Sequence, residues 1–401
     1  MINRKFYTKR GGILLLYRTY GKTNEKVSIL GFGCMRFPII DGDYTKIDEE
    51  KSIELLHSAI DSGINYIDTA YPYHGSGKAG ESEPFVGRAL KGAYRDKVNL
   101  ATKLPSWMIK TREDMDKYLN EQLERLQTDR IDFYLVHALN ATTWANLKQL
   151  GINEFLDSAI KDGRIRYAGF SFHDKLEVFK EIVDYYDWSF CQIQYNYLDE
   201  NYQAGKEGLE YAAKKGLGVA IMEPLRGGRI ARNLPAAVKD IFEEAEAKRS
   251  PAEWALRWVW NHPEVSVVLS GMNEMDNLKE NIKAAEEAEA KALTENELEI
   301  MDRVKQVFKE RLKVNCTNCK YCMPCPAGVN IPDNFAFYNE YGLFSTPEND
   351  KEFIEKYKNI KQAEKPSNCV KCGKCETHCP QNIKIREELK SIVNLFETAN
   401  A

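Results

Sequence analysis

Ile131-Asp-Phe-Tyr-Leu-Val-His137 is a short apolar and aromatic run that closes on a histidine. β-branched and aromatic side chains at that density favour a strand, and a strand apolar on both faces belongs inside a parallel sheet. Working outward, the same alternation repeats. Helical periodicity over 111–126 precedes the run; a second helix over 151–162 and a second strand over 167–172 come after it. Extended to the whole chain, strand-like runs fall at 29–35, 66–70, 98–103, 131–137, 167–172, 190–196, 217–224 and 265–272. Helix-like stretches at 48–62, 175–186 and 203–215 join the two already named, and Gly63, Gly163 and Gly216 stand where helices stop. Eight strands alternating with helices predict an α/β fold, a parallel (β/α)8 TIM barrel. A doubly wound open sheet is the competitor. It needs a Gly-rich dinucleotide turn after its first strand, and Gly31-Phe-Gly33-Cys-Met-Arg36 lacks the third glycine.

At 401 residues the chain is long for one domain. We expect an N-terminal extension over 1–16, a barrel over 17–300 and a mainly helical ferredoxin-like domain over 301–401. Residues 18–28 read as a hairpin, and the Ala-, Glu- and Lys-rich stretch 286–313 as helix leading off the barrel. The extension fits poorly with the barrel pattern. An alternative is that translation starts at Leu15 or Leu16, after a ribosome-binding-like stretch that encodes Arg10-Gly11-Gly12. A formal net charge of -4 provides no basic field for nucleic acid or an anionic membrane. The longest early apolar run, Ile13 to Leu16, is too short to span a bilayer or form a signal-peptide core. A cytoplasmic protein is expected.

Eight of ten cysteines lie between Cys316 and Cys379, and such crowding favours metal over disulfides. Cys34, at the end of the first strand, and Cys191 are read mainly as core. The crowded ones form Cys316-x-x-Cys319-x-x-Cys322-x-x-Cys325-Pro326 and Cys369-x-x-Cys372-x-x-Cys375-x-x-x-Cys379-Pro380. Three cysteines at intervals of three can wrap a cubane, and in two-cluster ferredoxins the fourth cysteine of each run serves the other cluster. That rule assigns Cys316, Cys319, Cys322 and Cys379 to one [4Fe-4S] cluster, and Cys369, Cys372, Cys375 and Cys325 to the other. The first run has two residues before its fourth cysteine where ferredoxins have three. Two four-cysteine zinc sites are the alternative, but zinc usually takes separated C-x-x-C knuckles. A helix near 350–361 is expected between the two runs.

The stretches Ile67-Asp68-Thr69-Ala70-Tyr71-Pro72-Tyr73, Ala101-Thr102-Lys103, Ile131 to His137, Gly169-Phe170-Ser171, Gln192-Ile193-Gln194-Tyr195-Asn196 and Glu280-Asn281 together resemble the aldo/keto reductase superfamily, in its branch with a C-terminal 4Fe-4S ferredoxin-type domain. The resemblance runs from about Tyr17 to the end. It implies a catalytic group of Asp68, Tyr73, Lys103 and His137, set at strand ends and the loop after one of them, the rim where barrel enzymes place chemistry. Tyr73 would protonate the carbonyl oxygen, Lys103 would lower the pKa of Tyr73, Asp68 would hold Lys103 charged, and His137 would orient the carbonyl. The same resemblance puts NADH or NADPH on Ser171, Gln192, Met222, Leu225, Gly227, Gly271, Glu280 and Asn281. Phe172 stands where the family has Asn, and Met222 where many members stack a Tyr. The family's NADPH-binding cations fall on Gly271 and Asn277, so no cation is evident there.

These residues are compatible with two functions. One is nicotinamide-dependent reduction of a small carbonyl compound, or oxidation of an alcohol. The other is electron transfer between a protein partner and the clusters, the barrel serving as a docking or regulatory module. In a third reading the clusters only staple a small domain. The loops 73–83 and 138–150 are expected to shape the substrate site.

Overall fold

The structure is a computed structural model, and it describes residues 15–76 and 79–398. The expectations for residues 1–14 lie outside the described residues, as does part of the 73–83 loop. Among the described residues ten strands form: β1 Tyr17–Thr19, β2 Lys26–Ser28, β3 Leu30–Gly33, β4 Tyr66–Asp68, β5 Asn99–Leu104, β6 Ile131–Leu139, β7 Ile165–Phe172, β8 Phe190–Gln194, β9 Gly218–Met222 and β10 Val267–Ser270. The last eight close a barrel in the order β10-β3-β4-β5-β6-β7-β8-β9, and every pairing in it is parallel. Closure leaves the sheet no free edge.

β1 and β2 make the expected antiparallel hairpin, turned through Gly21–Thr23 and a left-handed Asn24. Tyr20 and Val27 enter the core beside Tyr66, Phe133, Phe190 and Val267, so the hairpin closes the N-terminal end of the barrel. Arg18 fastens it, donating to Trp260 O at 2.6 Å, His262 O at 3.0 Å and Val265 O at 2.6 Å.

The chain divides into two compact units, 1–227 with 252–293, and 228–251 with 294–401. The 286–313 stretch is not one helix. Met275–Glu286 ends, and a new helix, Glu295–Arg311, starts at a capping box on Thr294. There Thr294 Oγ1 accepts from Glu297 N at 3.2 Å, while Thr294 N donates to Glu297 Oε2 at 2.8 Å. Within the second unit Arg249 pairs with Glu297 at 2.5 Å, and Arg303 with Glu244 at 2.6 Å. Its helices include Ile331–Phe344, Asp350–Lys358 and Ile385–Val393. Phe396 gathers Tyr357, Phe337 and Tyr341 at ring-centroid distances of 4.8, 5.2 and 5.0 Å, so the unit has an aromatic core of its own. Among the described residues, no helix is long and apolar enough to cross a membrane.

Candidate active site and cysteine centre

Parallel register sets the catalytic face. Asp68 ends β4 opposite Ala101 of β5, and Lys103 of β5 lies opposite Leu135 of β6. Tyr73 is carried on the turn after β4, where Tyr73 N donates to Ala70 O at 3.1 Å and Ser82 N to Tyr73 O at 3.2 Å. That turn folds back so tightly on Gly80 that a β-carbon there would lie 1.9 Å from Tyr73 O, so only glycine fits.

Lys103 is fully buried and joins the group. Its Nζ donates to Asp68 Oδ1 at 2.7 Å, to Thr69 O at 2.8 Å and to Tyr73 OH at 3.3 Å. The His137 ring stands edge-on to Tyr73 at 6.2 Å. The structure thus brings all four expected catalytic residues together. It also shows how His137 is aimed. β6 pairs with β7 at Val136↔Phe170 and next at Leu139↔Phe172, so His137 and Ala138 face Ser171 across a bulge. Ala138, at φ 51°, donates from its N to Ser171 Oγ at 2.7 Å.

Lys103 acts on Tyr73 in the expected direction, but burial outweighs it. Burial pushes the Tyr73 phenol up, and the Lys103 ammonium opposes this without reversing it. Tyr73 therefore keeps its proton at neutral pH. Burial disfavours charge on Lys103, yet Asp68, followed by Tyr73, outweighs it and holds the amine above its ordinary range. Burial, with Lys103 adding to it, drives His137 well below an ordinary imidazole, so its ring is neutral.

Behind Lys103 lies a buried hub. Glu83 accepts from Thr102 Oγ1 at 2.6 Å, Gln122 Nε2 at 2.7 Å and Arg125 Nε at 2.9 Å. Gln122 Nε2 also donates to Lys103 O at 3.0 Å.

The residues expected at the nucleotide divide. Gln192 Nε2, midway along β8, lies 3.6 Å from Met222 Sδ at the end of the neighbouring β9. Asn281 is buried and donates to Ser270 Oγ at 3.1 Å, holding the turn before Gly271, and Glu280 precedes it on the same helix. Leu225 and Gly227 follow β9, with Gly227 at φ 66°. No cation was evident in the sequence near Gly271, but the fold supplies one. A β-carbon on Gly271 would lie 3.0–3.2 Å from the Arg36 side chain, and one on Gly227 3.3 Å from Arg36 Nη2. Arg36 is exposed and follows the first barrel strand. The sequence reading also missed Trp107, half-exposed on the turn after β5, with its ring 5.1 Å from His137. Its one signal was its place four residues after Lys103.

The aldo/keto reductase family model matches residues 29–306. The chain belongs to that family. This aldo/keto reductase also matches the 4Fe-4S dicluster domain over residues 315–383. It is 28% identical to an uncharacterized oxidoreductase, YrpG, of Bacillus subtilis (67% of this chain, 91% of the relative). It is 26% identical to the L-galactose dehydrogenase of Arabidopsis thaliana (73% and 95%). Among solved structures, the holo form of aldo-keto reductase AKR11C1 from Bacillus halodurans superimposes with a TM-score of 0.59 at 27% identity (72% of this chain, 96% of that one).

In the second unit, left-handed Asn318 and Lys320 turn the first cysteine run, and left-handed Lys371 and Gly373 the second. Asn339 braces the entry, its Oδ1 accepting from Val314 N at 2.7 Å. Cys316, Cys319, Cys322 and Cys379 line one cavity. Cys325, Cys369, Cys372 and Cys375 line a second, which Cys322 also borders. Among the described residues, no three His, Cys, Asp or Glu side chains draw together closely enough to hold a single metal ion. Burial pushes the Cys322 thiol up to about 11.

Proposed function

We propose that this oxidoreductase reduces small carbonyl compounds to alcohols, reversibly, with NADH or NADPH in the cytoplasm, and that its C-terminal unit carries two [4Fe-4S] clusters. The observation that carries the reductase reading is Lys103, fully buried and bonded at once to Asp68, Thr69 O and Tyr73.

The residues present fit a nicotinamide. Gln192 Oε1 and His137 Nδ1 are buried and meet no hydrogen-bond partner among the described residues, so polar atoms there await a ligand. Gln192 and Ser171 would hold the carboxamide, Met222 would pack on the ring through its sulfur, and Leu225, Gly227, Gly271, Glu280 and Asn281 would form the nucleotide side. Arg36 supplies the cation for the phosphates. Bound there, the nicotinamide supplies a hydride to the carbonyl carbon. Tyr73 holds its proton until the oxygen gains negative charge and then passes it across. Lys103 stabilises the phenolate left behind, and Asp68 keeps Lys103 charged and in place. Neutral His137 donates a hydrogen bond to the carbonyl oxygen.

For the clusters, the crossed grouping of cysteines around the two cavities supports the assignment of Cys379 to the first set and Cys325 to the second. A single zinc needs four sulfurs at about 2.3 Å from one point, whereas a cubane fills a cavity. The clusters would exchange single electrons.

An anaerobic visible spectrum, followed by titration with NADH, then NADPH, with and without aldehydes, tests both parts. We expect broad brown absorption and consumption of aldehyde. A colourless protein that retains zinc would overturn the clusters, and nicotinamide that neither binds nor is oxidised would overturn the reductase.

A further inference from the structure

Val370 and Tyr321 are the most exposed large apolar side chains among the described residues, at 69% and 64%. Both border the cavity of Cys325, Cys369, Cys372 and Cys375. Cys372, beside Val370, is the one exposed cysteine among the described residues. Two free cations flank that cysteine. Residues 364–388 carry Lys365, Lys371, Lys374, Lys384 and Arg386 with four carboxylates, Glu364, Glu376, Glu387 and Glu388, of which Glu387 pairs with Lys384 at 3.6 Å and Glu364 with Lys361 at 3.1 Å. Glu376 is spent on Arg386, which donates to it from Nε at 3.0 Å and Nη2 at 2.7 Å. Lys371 and Lys374 are exposed and make no ion pair among the described residues. Buried aliphatic side chains back both cavities, Ile331 bordering each, with Ile385 at the first and Leu389 at the second. The second, outer set is set apart by its exposed Cys372, which lies beside the exposed Val370 and Tyr321 and between Lys371 and Lys374.

We propose that this face around Cys372 is the docking site of a small acidic one-electron carrier protein. The inference rests on the cluster assignment made above. An apolar contact of small area flanked by free cations suits a transient redox encounter, in which charge steers approach and the weak contact allows release. One electron leaves the reduced centre of the carrier and enters the outer cluster, or makes the reverse journey. The carrier is oxidised by one electron, the cluster is reduced by one, and no bond or proton moves. The competing explanation is that the lysines only offset the charge of the cluster and its thiolates.

The test uses the anaerobically purified full chain, with iron, sulfide and EPR measured first. Stopped-flow follows its reduction by a reduced acidic two-cluster ferredoxin between low and high ionic strength. We expect the second-order rate to fall about tenfold or more as salt rises through the range where screening sets in. K371E with K374E lowers the low-salt rate by a similar factor and removes the salt dependence. K371R with K374R restores both, and all three proteins converge at high salt. If the reversed-charge variant keeps the parental rate and salt dependence, or is slower by one factor at every ionic strength, the lysines serve the cluster and the docking proposal fails. Absence of iron and EPR signal in the parent overturns the cluster assignment itself, and the docking site with it.

Discussion

Lys103 and Cys372 stand at opposite extremes of how a chain prepares a reactive group. Lys103 has no solvent exposure and spends its three protons on Asp68, Thr69 O and Tyr73, with Glu83 and Gln122 bracing the strand behind it. Cys372 is exposed, and its neighbours in the set line an open cavity. The barrel completes its site from its own side chains, and packing fixes the geometry. The cysteine unit brings thiols near one another and leaves the final closure to a ligand. The first kind of site resists solvent and salt; the second depends on what is bound.

The contrast can be attacked at several points. Lys103→Met should cost about a thousandfold in kcat for carbonyl reduction, because the proton donor loses its cation; a loss below tenfold would mean that the buried group is structural. Glu83→Ala should destabilise the barrel by about 3 kcal/mol or more in thermal or urea unfolding, by leaving Arg125 and Gln122 with unpaired buried donors. An undiminished midpoint would show that the hub does not brace the strand. Cys372→Ala should cut iron from about eight to about four atoms per chain, as expected for two cubanes. Elemental analysis checks this, and unchanged iron would remove Cys372 from the ligands. Arg36→Ala should weaken dinucleotide binding about tenfold, the worth of one charge-assisted hydrogen bond, as read by calorimetry. Equal affinity would leave the phosphates without this cation.

The smallest effect is an expected flatness. With His137 held well below its ordinary 6.5, carbonyl reduction should show no acid limb near that pH. The sign for stability is the same as for any imidazole buried neutral. The contribution is complete above 6.5 and fades as pH falls towards the lowered value. A rate limb at 6.5 would mean that the ring titrates as if in water.

The barrel was legible because its eight strands each announce themselves locally. Even the short β10 was found within a few residues of its ends. Asp68, Tyr73, Lys103 and His137 were picked out by their motifs, and the place of Asp68, Lys103 and His137 at or near strand ends agreed with that choice. What escaped reading depends on contacts far apart in sequence. Arg36 and Gly271 meet only because β3 and β10 are neighbours in the closed ring. The break before Thr294 hid in a run of good helix formers, where one capping box outweighs propensity. Ile331–Phe344 went unseen because aromatic, polar and Gly residues share its faces, and its burial comes from packing on other helices. The rise in the Tyr73 pKa was hidden because burial cannot be read from a neighbour's identity; Lys103 was foreseen and the desolvation was not.

Arg18 has a consequence for the order of events in the cell. Its carbonyl partners lie 242 to 247 residues later in the chain. At about 5–20 residues per second of synthesis, the hairpin emerges first and waits roughly 12 to 50 seconds for the backbone that will hold it. The Arg18 guanidinium stays without these carbonyls over that interval. The ribosome thus delivers the seal long before the vessel, and closure of the ring and docking of the hairpin must be nearly one late event.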